Sequence, residues 1–176
     1  MSETLAATAP VDLNEATAIA TCLFAREGLF LDERDWDAWL DLYLADCVFW
    51  VPTWKDEDET VGDTAREVSL IYHDSRRGLE ERVARLRSRK SVTAMPLPRT
   101  VHLVSNILVS ACTAKEISGS ASWRVEEYDP RRGVRRSNCG RYAFTLRKTS
   151  DDWKIARKKV VLLDDVLPPV IDFYGL

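Results

Sequence analysis

The chain is 176 residues long, 45% apolar and 30% charged, with a formal net charge of −3 at pH 7. That length suits one domain with a real core, and so small a charge gives no electrostatic reason to expect nucleic acid or a membrane surface as partner. No apolar run approaches the roughly 20 residues that cross a bilayer, and the opening MSETLAATAP lacks the basic and apolar regions of a secretory signal. A flexible tail over residues 1–13 and a single domain over 14–176 are therefore expected.

Asp12 or Asn14 can cap a first helix, whose apolar residues Ile19, Leu23, Phe24, Phe30 and Leu31 recur at helical spacing up to about Glu33 or Arg34. A short second helix follows, capped by Asp35, with Trp36, Trp39, Leu40 and Tyr43 on one face. Val48–Pro52 reads as a strand, because it is aromatic and β-branched and ends in proline. The acidic stretch Lys55–Thr64 has no apolar period and reads as a surface loop. Val68–Tyr72 is a short strand, and Asp74 or Ser75 then caps a helix that buries Leu79, Val83 and Leu86. Arg82, Arg85, Arg87 and Arg89 line the other sides of that helix. Its glutamates Glu80 and Glu81 sit toward its positive end, as the helix dipole favours. Met95-Pro96-Leu97-Pro98 breaks the helical pattern.

From Arg99 onward the period is two. Val101, Leu103, Ile107 and Val109 alternate with His102, Asn106 and Ser110. Ile117, Ala121, Trp123 and Val125 form one face of a second strand, and Tyr142, Phe144 and Leu146 one face of a third. Trp153, Ile155 and Val161 share a face of the last strand, which Lys158-Lys159 interrupts, either to discourage edge pairing or to meet an acidic neighbour. Turns at Asp129–Gly133 and Asp151-Asp152 make these strands antiparallel neighbours. Helices followed by a meander constitute an α+β layout, with helices packed on an antiparallel sheet.

Four cysteines, Cys22, Cys47, Cys112 and Cys139, stand far apart with no CxxC or CxH pair, which fits mostly buried thiols in a reducing cytoplasm. Trp36, Trp39, Trp50 and Trp54 crowd one short span; core packing is the default for each, and burial of one by a partner chain is the competing expectation. Arg131, Arg132, Arg135 and Arg136 flank a turn without an aromatic stacking platform, which points to solvent or subunit contacts and not to nucleic acid.

The segments FAREGLFLDERDWDAWLDLYLADCVFWVPTW (Phe24–Trp54), EVSLIYHDSRRGLEERVARLRSR (Glu67–Arg89), RTVHLVSN (Arg99–Asn106), CGRYAFTLR (Cys139–Arg147) and WKIARKKVVLLDD (Trp153–Asp165), with the closing PVIDFYGL, resemble in order and spacing the small (β) subunits of aromatic-ring-hydroxylating dioxygenases of the benzoate, toluate and anthranilate group. The resemblance implies a nuclear-transport-factor-2-like (NTF2-like, SnoaL-like) cone, with the N-terminal helices packed on a strongly curved antiparallel or mixed sheet. It also implies a large (α) subunit as partner, in an assembly of three large and three small chains. The large subunit would hold the Rieske [2Fe-2S] cluster and the mononuclear Fe(II), and NADH would supply electrons through a reductase.

The ligand count agrees with a supporting role. A Rieske centre takes two Cys and two His, and a non-haem oxygenase iron takes two His and a carboxylate. The chain has two histidines, His73 and His102, neither at CxH or CxxH spacing from a cysteine. No catalytic, cofactor-binding or metal residue is therefore assigned. A free-standing cone enzyme (an isomerase or dehydratase) or a ligand-binding module is the alternative. Its candidate groups are His73-Asp74 and His102, helped by Asp46, Tyr43, Tyr72 and Tyr142. Against these stand a strand end running into a helix cap at His73-Asp74 and a hydrogen-bonded sheet histidine at His102.

Overall fold

A computed structural model describes residues 11–88, 95–164 and 171–176. Helix α1 (Leu13–Glu33) buries Ala16, Ala20, Leu23, Phe24, Glu27, Gly28 and Leu31, a stripe repeating every three or four residues. Asp12 stands at its N-cap without a side-chain bond, and α1 stops at Arg34, whose φ of 60° turns the chain while its N–H returns to the Phe30 and Leu31 carbonyls. Helix α2 (Trp36–Asp41) is capped by the Asp35 carboxylate, which accepts from the Ala38 N–H, as the sequence predicts.

Strands β1 (Tyr43–Pro52) and β2 (Ser69–His73) precede helix α3 (Arg76–Arg87). Strands β3 (Arg99–Cys112), β4 (Glu116–Asp129), β5 (Val134–Lys148) and β6 (Trp153–Leu162) then run as a meander, and a 3₁₀ turn occupies Phe173–Gly175. The six strands form one sheet in the order β2-β1-β6-β5-β4-β3. All neighbours are antiparallel except β1 and β6, which are parallel, so the sheet is mixed. Helix α1 packs chiefly on β3 and touches β6, while α3 packs on β1 and β2, so the helices line the inside of the curl. Aromatic rings fill it: Phe24 meets Tyr142 and Phe144, and Trp123 stacks on Tyr142 at 5.5 Å.

Several local expectations shift. Strand β1 starts at Tyr43, five residues before Val48, because the Ile155 N–H reaches the Leu42 carbonyl and draws the chain into the sheet there. Strand β2 is Ser69–His73, leaving Val68 outside and exposed. At α3 the N-cap residue is Ser75, and neither the Ser75 nor the exposed Asp74 side chain makes the capping bond. Arg89 and most of the 1–13 tail lie outside the described residues.

The largest correction concerns the phase of β3. Val101 and Leu103 face outward, each more than half exposed, and His102 points into the curl with Val104. At Asn106, with φ of 51°, the register with β4 slips, and beyond it Val109 is buried. A bulge reverses which face an alternating pattern presents, so one phase cannot describe the whole strand. The face of β6 also changes: after Ile155 the buried side chains are Ala156, Lys158, Val160 and Leu162, with Val161 on the opposite side. This strand lies inside the sheet, between β1 and β5, so Lys158-Lys159 is not an edge-blocking device.

Close approach to β6 makes Gly140 of β5 a packing requirement. A Cβ there would stand 1.9 Å from the Val161 carbonyl oxygen, whereas one at Gly62 would meet nothing within 4 Å. Gly140→Ala should cost about 1–3 kcal/mol through backbone displacement, read as a lower urea midpoint, while Gly62→Ala should leave the midpoint nearly unchanged.

Candidate functional site

Inside the curl the chain gathers charged and aromatic groups that the sequence places far apart. Lys158, on β6, is 2% exposed and directs its ammonium to both oxygens of Glu27 on α1, at 2.9 and 2.8 Å. The Tyr43 hydroxyl donates to the same carboxylate, and the Lys158 ammonium lies 3.8 Å from the centre of the Tyr142 ring. Burial lowers the pKa of Lys158, against the pull of Glu27. Burial, reinforced by the Glu27 charge, pushes the Tyr43 phenol well above its ordinary value and keeps it a donor. Every oxygen of the carboxylate is thus answered, which is the condition for holding an ion pair in a dry interior.

A second pair joins α1 to β3. The Asp32 carboxylate accepts from His102 Nδ1 at 2.6 Å, from the His102 backbone N–H at 3.0 Å and from the Thr100 hydroxyl at 2.8 Å. Burial opposes ionisation of Asp32, but these donors outweigh it and hold its pKa below the usual carboxylate value. Gly28 permits the contact, since a Cβ there would stand 3.0 Å from the His102 Cβ. His102 Nε2 is buried with no protein partner among the described residues.

The other candidates scatter. His73 accepts from Arg82 Nε at 2.8 Å, and burial followed by the Arg82 charge lowers its pKa, so it is neutral at pH 7. Arg82 is half-buried and pairs with Asp172 at 2.8 Å. Asp46 lies outside, paired with Arg147, and Tyr72 is exposed. Tyr43 and Tyr142 lie inside. Of the cysteines expected to be mostly buried, Cys47 is buried, its thiol pushed up to about 12 by desolvation, Cys112 and Cys139 are half-buried, and Cys22 is exposed. Of the four clustered tryptophans, Trp36, Trp39 and Trp50 are buried within this chain, and Trp54 is 39% exposed.

The residues present do not fit either iron group. His73 and His102 are each committed to another side chain, one to Arg82 and the other to Asp32. No group of three or more His, Cys, Asp or Glu among the described residues is arranged to hold a metal ion. A cavity of about 760 Å³ between the start of α2, the end of α3, the segment before β3 and the β4–β5 turn is lined by Trp36, Leu86, Arg87, Leu97 and Arg131 among others, and includes neither buried pair. Arg34 there donates to the Leu97 and Pro98 carbonyls, and Arg87 pairs with Asp37.

The family model for the ring-hydroxylating β subunit matches residues 26–169. The chain belongs to the ring-hydroxylating β-subunit family. It is 41% identical over 149 residues, 85% of this chain and 89% of the relative, to the 2-halobenzoate 1,2-dioxygenase small subunit of Burkholderia cepacia. It is 39% identical to the anthranilate 1,2-dioxygenase small subunit of Acinetobacter baylyi, over 89% of this chain and 94% of that one. The crystal structure of the benzoate 1,2-dioxygenase β subunit of Burkholderia mallei superposes with a TM-score of 0.75 at 32% identity, covering 94% of this chain and 98% of the other. A structure assigned as a scytalone dehydratase from Novosphingobium aromaticivorans, 13% identical with a TM-score of 0.62 over 84% of this chain and 83% of that one, shares the fold alone. The NTF2-like cone implied by the sequence resemblance is thus the fold of this β-subunit family member.

Of the two roles the sequence left open for Lys158-Lys159, meeting an acidic neighbour is the one Lys158 fulfils; that neighbour, Glu27, escaped the sequence reading, although a signal existed. Glu27 sits on the apolar stripe of α1, four residues from both Leu23 and Leu31, and Lys158 is in phase with Val160 and Leu162. A charge on the buried stripe of two elements implies a partner for each. Lys158→Met alone should strand the Glu27 carboxylate and cost about 3–5 kcal/mol. Adding Glu27→Leu should recover most of that loss, a coupling that chemical denaturation of the four proteins of the cycle measures.

Glu127 on β4 lies beside Gly175 and 3.5 Å from Asn138 Nδ2. Its pKa is raised, by burial foremost and then by Asp129, with Arg136 opposing. A raised carboxylate binds more protons folded than unfolded between its ordinary and its folded value, so its contribution to stability falls as pH rises through that window. Glu127→Gln should therefore gain stability relative to the parent at pH 7 and lose that advantage at pH 4, as thermal melts at both pH values would record.

Proposed function

We propose that this chain is the small, supporting subunit of an aromatic-ring-hydroxylating dioxygenase that acts on aromatic carboxylates. The observation that carries the reading is the match to β subunits of the benzoate group along nearly its whole length, at up to 41% identity. In this reading residues 14–176 form one cone domain and no residue of the chain is catalytic or binds cofactor or metal. The Rieske [2Fe-2S] cluster and the mononuclear Fe(II) belong to the large subunit, NADH feeds electrons through a reductase, and three small chains trimerise within a hexamer of three large and three small subunits. The assembly works in the cytoplasm. No helix among the described residues is long and apolar enough to cross a membrane.

The outside of the cone supports an assembling role. Both edge strands carry exposed apolar side chains: Leu70 and Tyr72 on β2, and Val101, Leu103 and Leu108 on β3. Apolar residues on a bare sheet edge invite association, and a specific partner that covers them gains their burial. Co-expression with a large subunit should give a complex that co-elutes in size-exclusion chromatography, with iron in a quantity set by the large chain. Leu103→Glu with Leu108→Glu should leave the circular dichroism spectrum intact and weaken co-elution at least tenfold. Stoichiometric iron in the purified small chain alone would overturn the reading.

A further inference from the structure

The outer face of the sheet carries three cations without a counter-ion. Arg141 on β5 and Arg157 on β6 are exposed, Lys159 on β6 is half-buried, and none of them forms an ion pair among the described residues. Other cations of that face are answered: Arg124 by Glu126, Arg147 by Asp46 and Lys154 by Asp41. The register joins the three into one patch. Lys159 stands opposite Ala143 and Arg157 opposite Thr145, with Arg141 two residues along β5 from Ala143. Ser120, opposite Ala143 on β4, extends a floor of small side chains. The Lys159 ammonium lies 4.5 Å and the Arg157 guanidinium 6.0 Å from the centre of the Trp50 ring. Burial and then the Arg157 charge lower the pKa of Lys159, with no carboxylate opposing them. Like charges gathered on such a floor repel one another alone and become favourable once an acidic surface covers them.

The chain carries an acidic surface beside this patch. In the loop after β1, Lys55 answers Glu59 and Arg66 answers Asp63, but the exposed Glu57 and Asp58 form no ion pair among the described residues. The base of the loop is fixed to β6. Trp54 and Thr60 form a β-bridge, Trp54 Nε1 donates to the Leu162 carbonyl at 2.8 Å, and the Lys159 ammonium donates to the Thr60 hydroxyl at 3.0 Å. The base therefore touches the patch, while the tip carboxylates leave it unpaired. A ring of three chains cannot close through one self-complementary patch; each chain must present two different patches that fit each other. We propose that the acidic loop tip Glu57-Asp58 of one small chain docks on the Arg141, Arg157 and Lys159 patch of a second copy, closing the trimer head to tail. Trp54, 39% exposed at the root of the loop, lies at the rim of that contact. This inference rests on the reading that the small chains trimerise, and it names the surfaces through which they do so.

The test uses the complex with a co-expressed large subunit, cross-linked by a water-soluble carbodiimide that joins lysine amines to carboxylates. Small chains joined to one another should appear on a denaturing gel, and peptide mapping of that species should find Lys159 bonded to Glu57 or Asp58. Lys159→Arg, which keeps the charge, should lower the yield about fivefold while the complex sediments as before. Arg141→Glu with Arg157→Glu should roughly halve the NaCl concentration at which the complex dissociates, and adding Glu57→Arg with Asp58→Arg should restore it. Three outcomes would overturn the proposal: a parent complex that holds three small chains but yields no joined ones, a salt midpoint unchanged by the reversed patch, or no recovery when both patches are reversed. A parent complex holding a single small chain would instead overturn the trimer reading, and this inference with it. Should the reversed patch prevent folding, Arg141→Gln with Arg157→Gln should still lower the salt midpoint, and an unchanged midpoint would likewise overturn the proposal.

Discussion

A carboxylate and an ammonium meet where this fold has least water. Glu27 and Lys158 are each about 2% exposed, and desolvating two ions costs several kcal/mol apiece before their attraction is counted. The pair is tolerable only because Lys158 reaches both carboxylate oxygens, Tyr43 donates to one of them, and the Tyr142 ring faces the ammonium. Each of these contacts joins α1, β1, β5 or β6 to another element. The placement of the long helix across the sheet follows: rotating α1 by one residue would leave Glu27 and Lys158 buried and unpaired.

The same helix meets β3 through Asp32 and His102, with Gly28 admitting the strand. Two polar contacts, one to an edge strand and one to a central strand, thus set where α1 lies against the sheet. Hydrophobic contacts supply the bulk of the stabilisation, but they are non-directional and tolerate sliding. The polar contacts have fixed partners and geometry, and so select one register. Inside the cone Glu27 and Lys158, and Asp32 and His102, are turned on one another, and the segment Asp172–Leu176 packs beside Trp39.

Much was legible from residue order. The stripe of α1, the Asp35 cap, the buried face of α3 and the inward residues of β4 and β5 all follow from period and capping chemistry, which act over a few residues. The family was legible as well, through the order of its segments along the chain. What residue order left open shares a cause. On β3 before Asn106 the alternation of Val101 and Leu103 with His102 does not say which set faces inward, and the fold turns His102 in. A bulge with positive φ at Asn106 changes phase midway, and nothing in a two-residue alternation announces it. For Lys158 the sequence left edge protection and an acidic neighbour both open, since strand order is not a local property, and the fold selects the second.

Local pattern and family likeness, then, were enough to establish an α+β chain, its helices before its meander, and its place among ring-hydroxylating β subunits. Only the folded sheet decided that β6 lies between β1 and β5, and hence that Lys158 had to find Glu27 across 131 positions of sequence. It also decided that Asp172 would answer Arg82 and that Phe173 would lie on Trp39. Period and capping are fixed by bonds and sterics between near neighbours. Which distant charges become partners depends on strand order and on how the sheet curls, and those emerge from the packing of the whole chain.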